Sequence, residues 1–157
     1  MNRVRHLRLW TSLTVALLGA SAMAASAVID GFPDSKLEIR TAAGRHWFNI
    51  AIADTPQRQQ RGLMFVRELP ADHGMLFPQK PARVMTMWMK NTLISLDMLF
   101  IDAQGRVVCI RDHTKPESED LITCEQPVGA VLELRSGEAA RRGIKVGNRV
   151  VHSSFSP

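Results

Sequence analysis

The sequence lacks most of the short motifs that identify an enzyme or a nucleic-acid-binding protein. It has no glycine-rich loop of the kind that cradles phosphates and no G-x-S-x-G setting for a hydrolase serine. Its basic residues form no block interleaved with aromatic residues, so nucleic acid is not an expected partner. No histidine pair stands at metal-ligand spacing, so zinc is not expected either. Function must therefore be inferred from residues scattered along the chain.

The first 24 residues are typical of a secretory signal peptide. A basic stretch with Arg3, Arg5 and Arg8 precedes a short apolar run, and small residues follow up to Ala24. The apolar run is shorter than the roughly 20 residues that a transmembrane helix needs. We expect cleavage after Ala24, a periplasmic or secreted domain over residues 25–157, and no stable membrane anchor afterwards. Because the removed segment holds three arginines and no acid, the formal charge would fall from +5 to +2.

Alternating apolar and polar residues predict a domain built mainly of short strands. Leu37 and Ile39 share one face, as do Phe48, Ile50 and Ile52, which predicts a first hairpin. Further strands are expected near residues 74–77, 83–89, 96–102, 106–110, 128–135 and around the turn at 147–148, with residues 78–82 as a loop. Few crossover helices separate them. We expect an α+β fold with a mainly antiparallel sheet curled into a barrel or a sandwich, and two short helices.

The two helices are predicted by their boundary residues. Thr55 is a suitable cap, Pro56 suits the first helical position, and Gly62 suits the end. Ser136 and Gly143 frame a second helix of one or two turns in the same way.

The stretch VMTMWMKNT, Val84 to Thr92, concentrates three methionines. On a strand Met85, Met87 and Met89 share one face, while Trp88 and Lys90 share the other. Methionine fills irregular gaps, so this row is interpreted first as the wall of a core. The alternative is a Cu(I) site, since thioethers are soft ligands, with His73, Met64 or Met75 completing the set.

Asp97 is the most conspicuous polar residue among apolar strand neighbours. A carboxylate in that setting is either paired or a functional group with a perturbed pKa. Lys90, Asn91, Arg61 and Glu133 are its candidate partners. The simpler interpretation is a structural ion pair or a turn hydrogen bond. The functional one is a cleft in which these residues converge on a small polar ligand, with Trp88 as an apolar wall.

Cys109 and Cys124 are the two cysteines, and both lie in the part expected to be exported. An even count in an oxidising compartment permits a disulfide, and two free thiols are the alternative. A bridge would pin the ends of the long polar segment 111–127, which has the character of a lid over a binding site.

Three stretches together resemble the domain-of-unknown-function-192 family: RQQRGLMFVRELPADHGMLFPQ, MWMKNTLISLDMLFIDAQGRVV and VLELRSGEAARRGIKVGNRV. The resemblance covers about residues 35–152 and carries specific pieces such as R-G-L-M, W-M-K-N-T and L-D-x-x-F-I-D. It implies a compact β-rich α+β domain and members that are often exported, and the family has no established activity. Its motifs direct attention to Arg61, Gly62, Trp88, Lys90, Asn91, Asp97 and Glu133.

Three functions are compatible with the sequence. The first is an exported binding or accessory protein that holds a small polar molecule or a peptide, without a cofactor. The second is a periplasmic Cu(I)-binding protein using Met85, Met87 and Met89. The third, an acid–base enzyme using Asp97 or Glu133, is the least supported, because no nucleophile–base pair is visible in the sequence.

Overall fold

The structure, a computed structural model, describes residues 29–155, so the predicted signal peptide lies outside the described part of the chain. Within that range the chain forms nine strands and two short helices: β1 (Asp34–Thr41), β2 (Gly44–Ile52), α1 (Pro56–Arg61), β3 (His73–Arg83), β4 (Thr86–Met87), β5 (Leu96–Ile101), β6 (Val107–Arg111), β7 (Ile122–Thr123), β8 (Val128–Arg135), α2 (Glu138–Arg141) and β9 (Arg149–Val151). In residues 29–155 no helix is both long and apolar enough to cross a membrane.

Seven of the strands form one curled sheet in the order β6-β5-β8-β3-β2-β1-β9, and β4 pairs with β7 separately. Neighbouring strands are antiparallel except for β2 and β3, which are parallel and connected through α1. The curl brings the two ends of the sheet together, since Arg106 bridges to Arg149 and the Val150 N–H donates to the Gly105 carbonyl at 2.7 Å. The predicted α+β fold with a curled, mainly antiparallel sheet is confirmed.

Each face of the sheet carries its own hydrophobic cluster. The inner cluster fills the curl and draws on every strand of the large sheet, for example Leu37, Phe48, Leu76, Leu99 and Leu132. The outer cluster covers the other face of β3, β5 and β8 and includes Met75, Phe77, Met98, Phe100, Val131, Leu63, Met85, Met89 and Cys124. Complete burial of one such side chain stabilises the fold by about 1.5–3 kcal/mol. The outer cluster therefore fixes the segment after α1, and the segment around β4, against the sheet.

The boundaries of α1 agree with the prediction, and those of α2 agree in part. The Thr55 hydroxyl accepts from the Arg58 N–H at 3.2 Å, and Gly62 ends the helix with a φ of +46°. The predicted Ser136 cap is wrong, because the N-cap of α2 is Gly137, which has no side chain to form a cap hydrogen bond. A distant carboxylate, that of Asp97, takes this role by accepting from the Ala139 N–H at 2.9 Å.

Three strand boundaries differ from the prediction. Residues 78–82 belong to β3 and not to a loop, and a register shift against β8 between Pro78 and Arg83 accommodates them. Of the strand predicted over 83–89, Arg83 is the last residue of β3, and only Thr86–Met87 forms a separate strand. Near the C-terminus only Arg149–Val151 is a strand.

Candidate functional site

A cleft of about 280 Å³ lies between the end of α1 and the segment around β4. The α1 side contributes Arg61, Gly62 and Met64, and the β4 side contributes Arg83, Met85, Met87, Trp88 and Lys90. Phe77 and Glu133 from the large sheet also line it. Two separate layers of the fold thus form its walls, and the sheet forms its floor.

Gly62 shapes the α1 side of the cleft. Its φ of +46° is in the region that favours glycine, and a Cβ placed there would stand 3.2 Å from the Phe77 ring. A larger residue would therefore be strained and would crowd the floor. Glycine at the helix end lets the chain turn sharply, so that Leu63 enters the outer cluster and Met64 borders the cleft.

Glu133 is the central polar group of the cleft. On β8 it pairs with Met75 of β3 and Met98 of β5, so its side chain shares their apolar face. The residue is only 4% exposed, and burial raises the pKa of its carboxyl to about 8. Burial is the only cause of this shift, and no hydrogen bond or charge from residues 29–155 contributes to it. A buried carboxyl without a protein partner, facing a cleft, is available to a ligand.

Cationic side chains surround the same space. Arg61 donates to the Asp30 carbonyl at 2.9 Å and lies 5.3 Å from the centre of the Phe32 ring. Lys90 lies 5.3 Å from the centre of the Trp88 ring and 3.5 Å from a carboxylate oxygen of Glu119. Arg83, whose residue is exposed, completes the set. The cleft therefore has positive walls around a floor that is uncharged when Glu133 is protonated.

A shallower groove adjoins the cleft on its outer side. It is lined by Arg61, Met64, Trp88, Lys90 and Asn91, together with two glutamines of α1. Asn91 adopts a φ of +54°, its carbonyl accepts from the Phe65 N–H at 2.9 Å, and its side-chain amide lies 3.8 Å from the Met64 sulfur. The indole of Trp88 is 42% exposed here, so it offers an apolar surface to a ligand in either space.

Five of the six predicted ligand-binding residues are thus brought together: Arg61, Trp88, Lys90, Asn91 and Glu133. Asp97 is not, and this departs from the prediction. Its pairing partner Leu134 belongs to the inner cluster, so Asp97 points to the face opposite Glu133. Its carboxylate accepts from the His113 N–H at 3.1 Å and from the Ala139 N–H at 2.9 Å. Asp97 holds the loop at His113 and the start of α2 to the sheet, and it does not line the cleft.

The methionine row divides between core and cleft. Met89 is fully buried in the outer cluster, as expected for a core wall. Met85 and Met87 also pack against that cluster but line the cleft as well, and Met64 joins them from the α1 side. His73 is bonded to Asp72 and lines a separate cavity, so it does not join the methionines. In residues 29–155 no group of three or more His, Cys, Asp or Glu residues is arranged to hold a metal ion.

Segment 111–127 differs from the predicted lid. None of its residues lines the cleft, so it does not cover it. It lies instead behind the wall of the cleft that the segment around β4 forms. There the Ser118 carbonyl accepts from the Met89 N–H, and the Glu117 N–H donates to the Thr92 carbonyl, both at 3.0 Å. Cys109, just before this segment, and Cys124, within it, are free thiols.

Two features of this region were not predicted from the sequence. Arg83, just before the methionine row, lines the cleft, and alternation along the chain could not have assigned it there, because Val84 and Thr86 line the cleft as well. Glu138 is a further buried carboxylate, and it forms ion pairs with Arg135, Arg141 and Arg142. Burial acts to raise its pKa, but the arginine hydrogen bonds outweigh that effect and lower the pKa to about 2. Glu138 is therefore a charged structural group, in contrast to Glu133.

Comparison with known proteins places this architecture among related domains. The family model of DUF192, described as "Uncharacterized ACR", matches residues 38–152. The crystal structure of a proposed transcription regulator from Sinorhizobium meliloti 1021 is 37% identical with a TM-score of 0.76, over 79% of this chain and 97% of that one. A protein of unknown function from Novosphingobium aromaticivorans DSM 12444 is 37% identical with a TM-score of 0.77, over 80% and 89% of the two chains. No curated protein matches the chain.

Proposed function

The chain belongs to the domain-of-unknown-function-192 family, and on that premise we propose that it is a binding protein that holds a small polar ligand or a peptide end above Glu133. The observation that carries this proposal is the buried Glu133 carboxyl, which lines the cleft without a partner among the described residues. A ligand that hydrogen-bonds to this carboxyl would gain about 0.5–1.5 kcal/mol from that bond. We further propose that the protein is exported, on the sequence of residues 1–24 alone.

The chemistry of the cleft favours a particular kind of ligand. With a pKa of about 8, Glu133 is mostly protonated at neutral pH, so its hydroxyl can donate to a carbonyl or hydroxyl oxygen. Arg61, Arg83 and Lys90 favour a negative charge on the same molecule. Trp88 favours a flat apolar group. A compact molecule with a carboxylate, a hydrogen-bond acceptor and an apolar part matches all three, as does the C-terminal end of a peptide.

The residues that line the cleft are better suited to binding than to catalysis. Among its lining residues there is no nucleophile–base pair, and Asp97 is occupied by backbone amides on the other face of the sheet. Acid–base chemistry would therefore rest on Glu133 alone.

We expect N-acetyl-phenylalanine to bind in the cleft, because it carries the three groups in a compact molecule. In an NMR titration the indole N–H signal of Trp88 should shift, with a Kd in the millimolar range. N-acetyl-phenylalaninamide, which lacks the negative charge, should bind more weakly. Arg83→Ala and Lys90→Ala should each weaken binding of the acid roughly threefold, since exposed charges contribute about 0.2–1 kcal/mol.

The matched control is Lys145→Ala, which removes an exposed cation that does not line the cleft. Binding of the acid by this variant should equal that of the wild type. If the Trp88 signal stays fixed, or if all three variants lose affinity equally, the cleft is not the site.

A second candidate function is Cu(I) binding, favoured by one observation: the thioethers of Met64, Met85 and Met87 border a single cleft. In a competition titration with a chromophoric Cu(I) chelator, this alternative predicts stoichiometric binding. Replacing Met85, Met87 and Met89 together by leucine should abolish it at a cost in stability under about 1.5 kcal/mol per site. Restoring Met89 alone should not recover binding, because Met89 does not line the cleft. If the wild-type protein loses Cu(I) to the chelator, the methionines form a core wall and not a metal site.

A further inference from the structure

Cys109 and Cys124 come together from separate parts of the chain. Cys109 lies on β6, Cys124 directly follows β7, and both pack in the outer cluster. The thiols are near enough for Cys124 to influence the ionisation of Cys109. A second contact holds the same two chain segments together: the Arg111 guanidinium donates to the Thr123 carbonyl at 3.1 Å. The residues flanking the two cysteines are therefore already joined.

The segment between these cysteines supports one wall of the cleft. Its strand β7 pairs with β4, placing Thr123 opposite Thr86 and Ile122 opposite Met87. Its turn accepts from the Met89 N–H through the Ser118 carbonyl at 3.0 Å, and Glu119 lies 3.5 Å from the Lys90 ammonium. We call residues 110–123 the strap. Whatever fixes the ends of the strap also fixes Met87, Trp88 and Lys90 on the wall that it backs.

We propose that Cys109 and Cys124 form a disulfide that closes the strap into a loop and braces this wall of the cleft. The oxidant would be a protein disulfide or oxidised glutathione. One cysteine thiolate attacks the oxidant's disulfide and forms a mixed disulfide, which the second cysteine then displaces. The two cysteines lose their S–H bonds and form one S–S bond, while the oxidant's S–S bond breaks and its two sulfurs take up the two electrons and the two protons as thiols. The proposal does not depend on the identity of the ligand.

The environment of the thiols favours a stable structural disulfide over one that is rapidly oxidised and reduced. Burial, together with the neighbouring Cys124 thiol, raises the pKa of Cys109 to about 11, and the charge of Arg111 offsets this only in part. Cys124 is 4% exposed. The attacking thiolate is therefore scarce at neutral pH in the folded protein. The bond should form during folding, while both thiols are accessible, and should persist afterwards.

The test is to refold the full chain from the reduced, denatured state, in glutathione redox buffer and, in parallel, with excess reductant. In redox buffer we expect no titratable thiols under denaturing conditions and a mass lower by about 2 Da. Tm should rise by roughly 10 °C over the reduced protein, as expected for a loop of this length. Amide exchange at Met89 and Glu117, which bond across the strap, should slow at least tenfold. The folded reduced protein should oxidise much more slowly than the refolding chain.

The reduced wild type is the reference, so the result does not depend on a variant that folds. Cys109→Ala/Cys124→Ala should give equal Tm values in the two buffers. Two titratable thiols after refolding in redox buffer, or one glutathione on each cysteine, would overturn the disulfide. A disulfide that leaves exchange at Met89 unchanged would overturn its role in bracing the cleft wall.

Discussion

Replacing Glu133 by glutamine is expected to stabilise the protein by about 5 kcal/mol at pH 8.5 and to leave it almost unchanged at pH 4. Burial raises the pKa of this carboxyl from 4.5 to about 8. Below pH 4.5 both the folded and the unfolded chain hold the proton, so the group does not oppose folding. Between pH 4.5 and 8 only the folded state keeps it, and the free energy of unfolding falls steadily. Glutamine has nearly the same volume and no charge to bury, so the free energy of unfolding of the variant does not fall in this way as the pH rises.

Urea unfolding of both proteins at pH 4, 6, 7 and 8.5 measures the effect. The difference between their free energies of unfolding should grow with pH and level off above pH 8. Glu125→Gln is the matched control, because Glu125 is exposed, and its effect should stay within about 0.5 kcal/mol at every pH. A difference for Glu133→Gln that is equally small would mean that the carboxyl finds a partner or water in the folded state.

The second large effect is expected for Asp97→Ala, which should destabilise the protein by about 3–5 kcal/mol. The substitution removes the carboxylate that accepts from the His113 and Ala139 N–H groups, and Asp97 is fully buried. At least one donor would be left enclosed without a partner, and α2 would lose the group that caps it. Asp97→Asn should cost less, because its remaining oxygen can still accept one of the two bonds. Chemical unfolding measures the loss, and amide exchange at Ala139 locates it.

Asp54→Ala serves as the comparison. Asp54 forms a surface ion pair with Arg58 at 2.7 Å, and its loss should cost under about 1 kcal/mol. The opposite pattern is that Asp97→Ala folds as stably as Asp54→Ala but no longer binds N-acetyl-phenylalanine. That result would show that Asp97 is part of the binding site.

The parts of the fold that could be predicted depend on local sequence. The β1–β2 hairpin follows from alternating residues such as Leu37 and Ile39, and α1 from its cap Thr55 and its end Gly62. The parallel pairing of β2 and β3 was missed, because the crossover helix between them has only six residues. The extension of β3 through residues 78–82 was missed for a different reason: the register shift against β8 accommodates prolines that normally end a strand.

The candidate site was predicted in part, and its one misplaced residue has a simple cause. Glu133 and Asp97 lie on neighbouring strands, but Glu133 pairs with Met98, which immediately follows Asp97. Side chains alternate along a strand, so a shift of one residue sends the two carboxylates to opposite faces. The sequence shows that both are surrounded by apolar residues, but it does not define the register between β5 and β8. Residues within one segment, such as Trp88, Lys90 and Asn91, do not depend on register and were predicted together.

The ionisation of Glu133, measured by NMR of its side-chain carboxyl carbon with and without N-acetyl-phenylalanine, tests the account most directly. In the free protein we predict titration near pH 8, since burial acts without a partner in the described part of the chain. Bound probe should raise the pKa further, because its oxygen accepts from the protonated carboxyl and its charge opposes ionisation. Affinity for the probe should then fall as the pH rises through 8. Titration near pH 4.5, or a curve that the probe leaves unchanged, would contradict a ligand site built on Glu133.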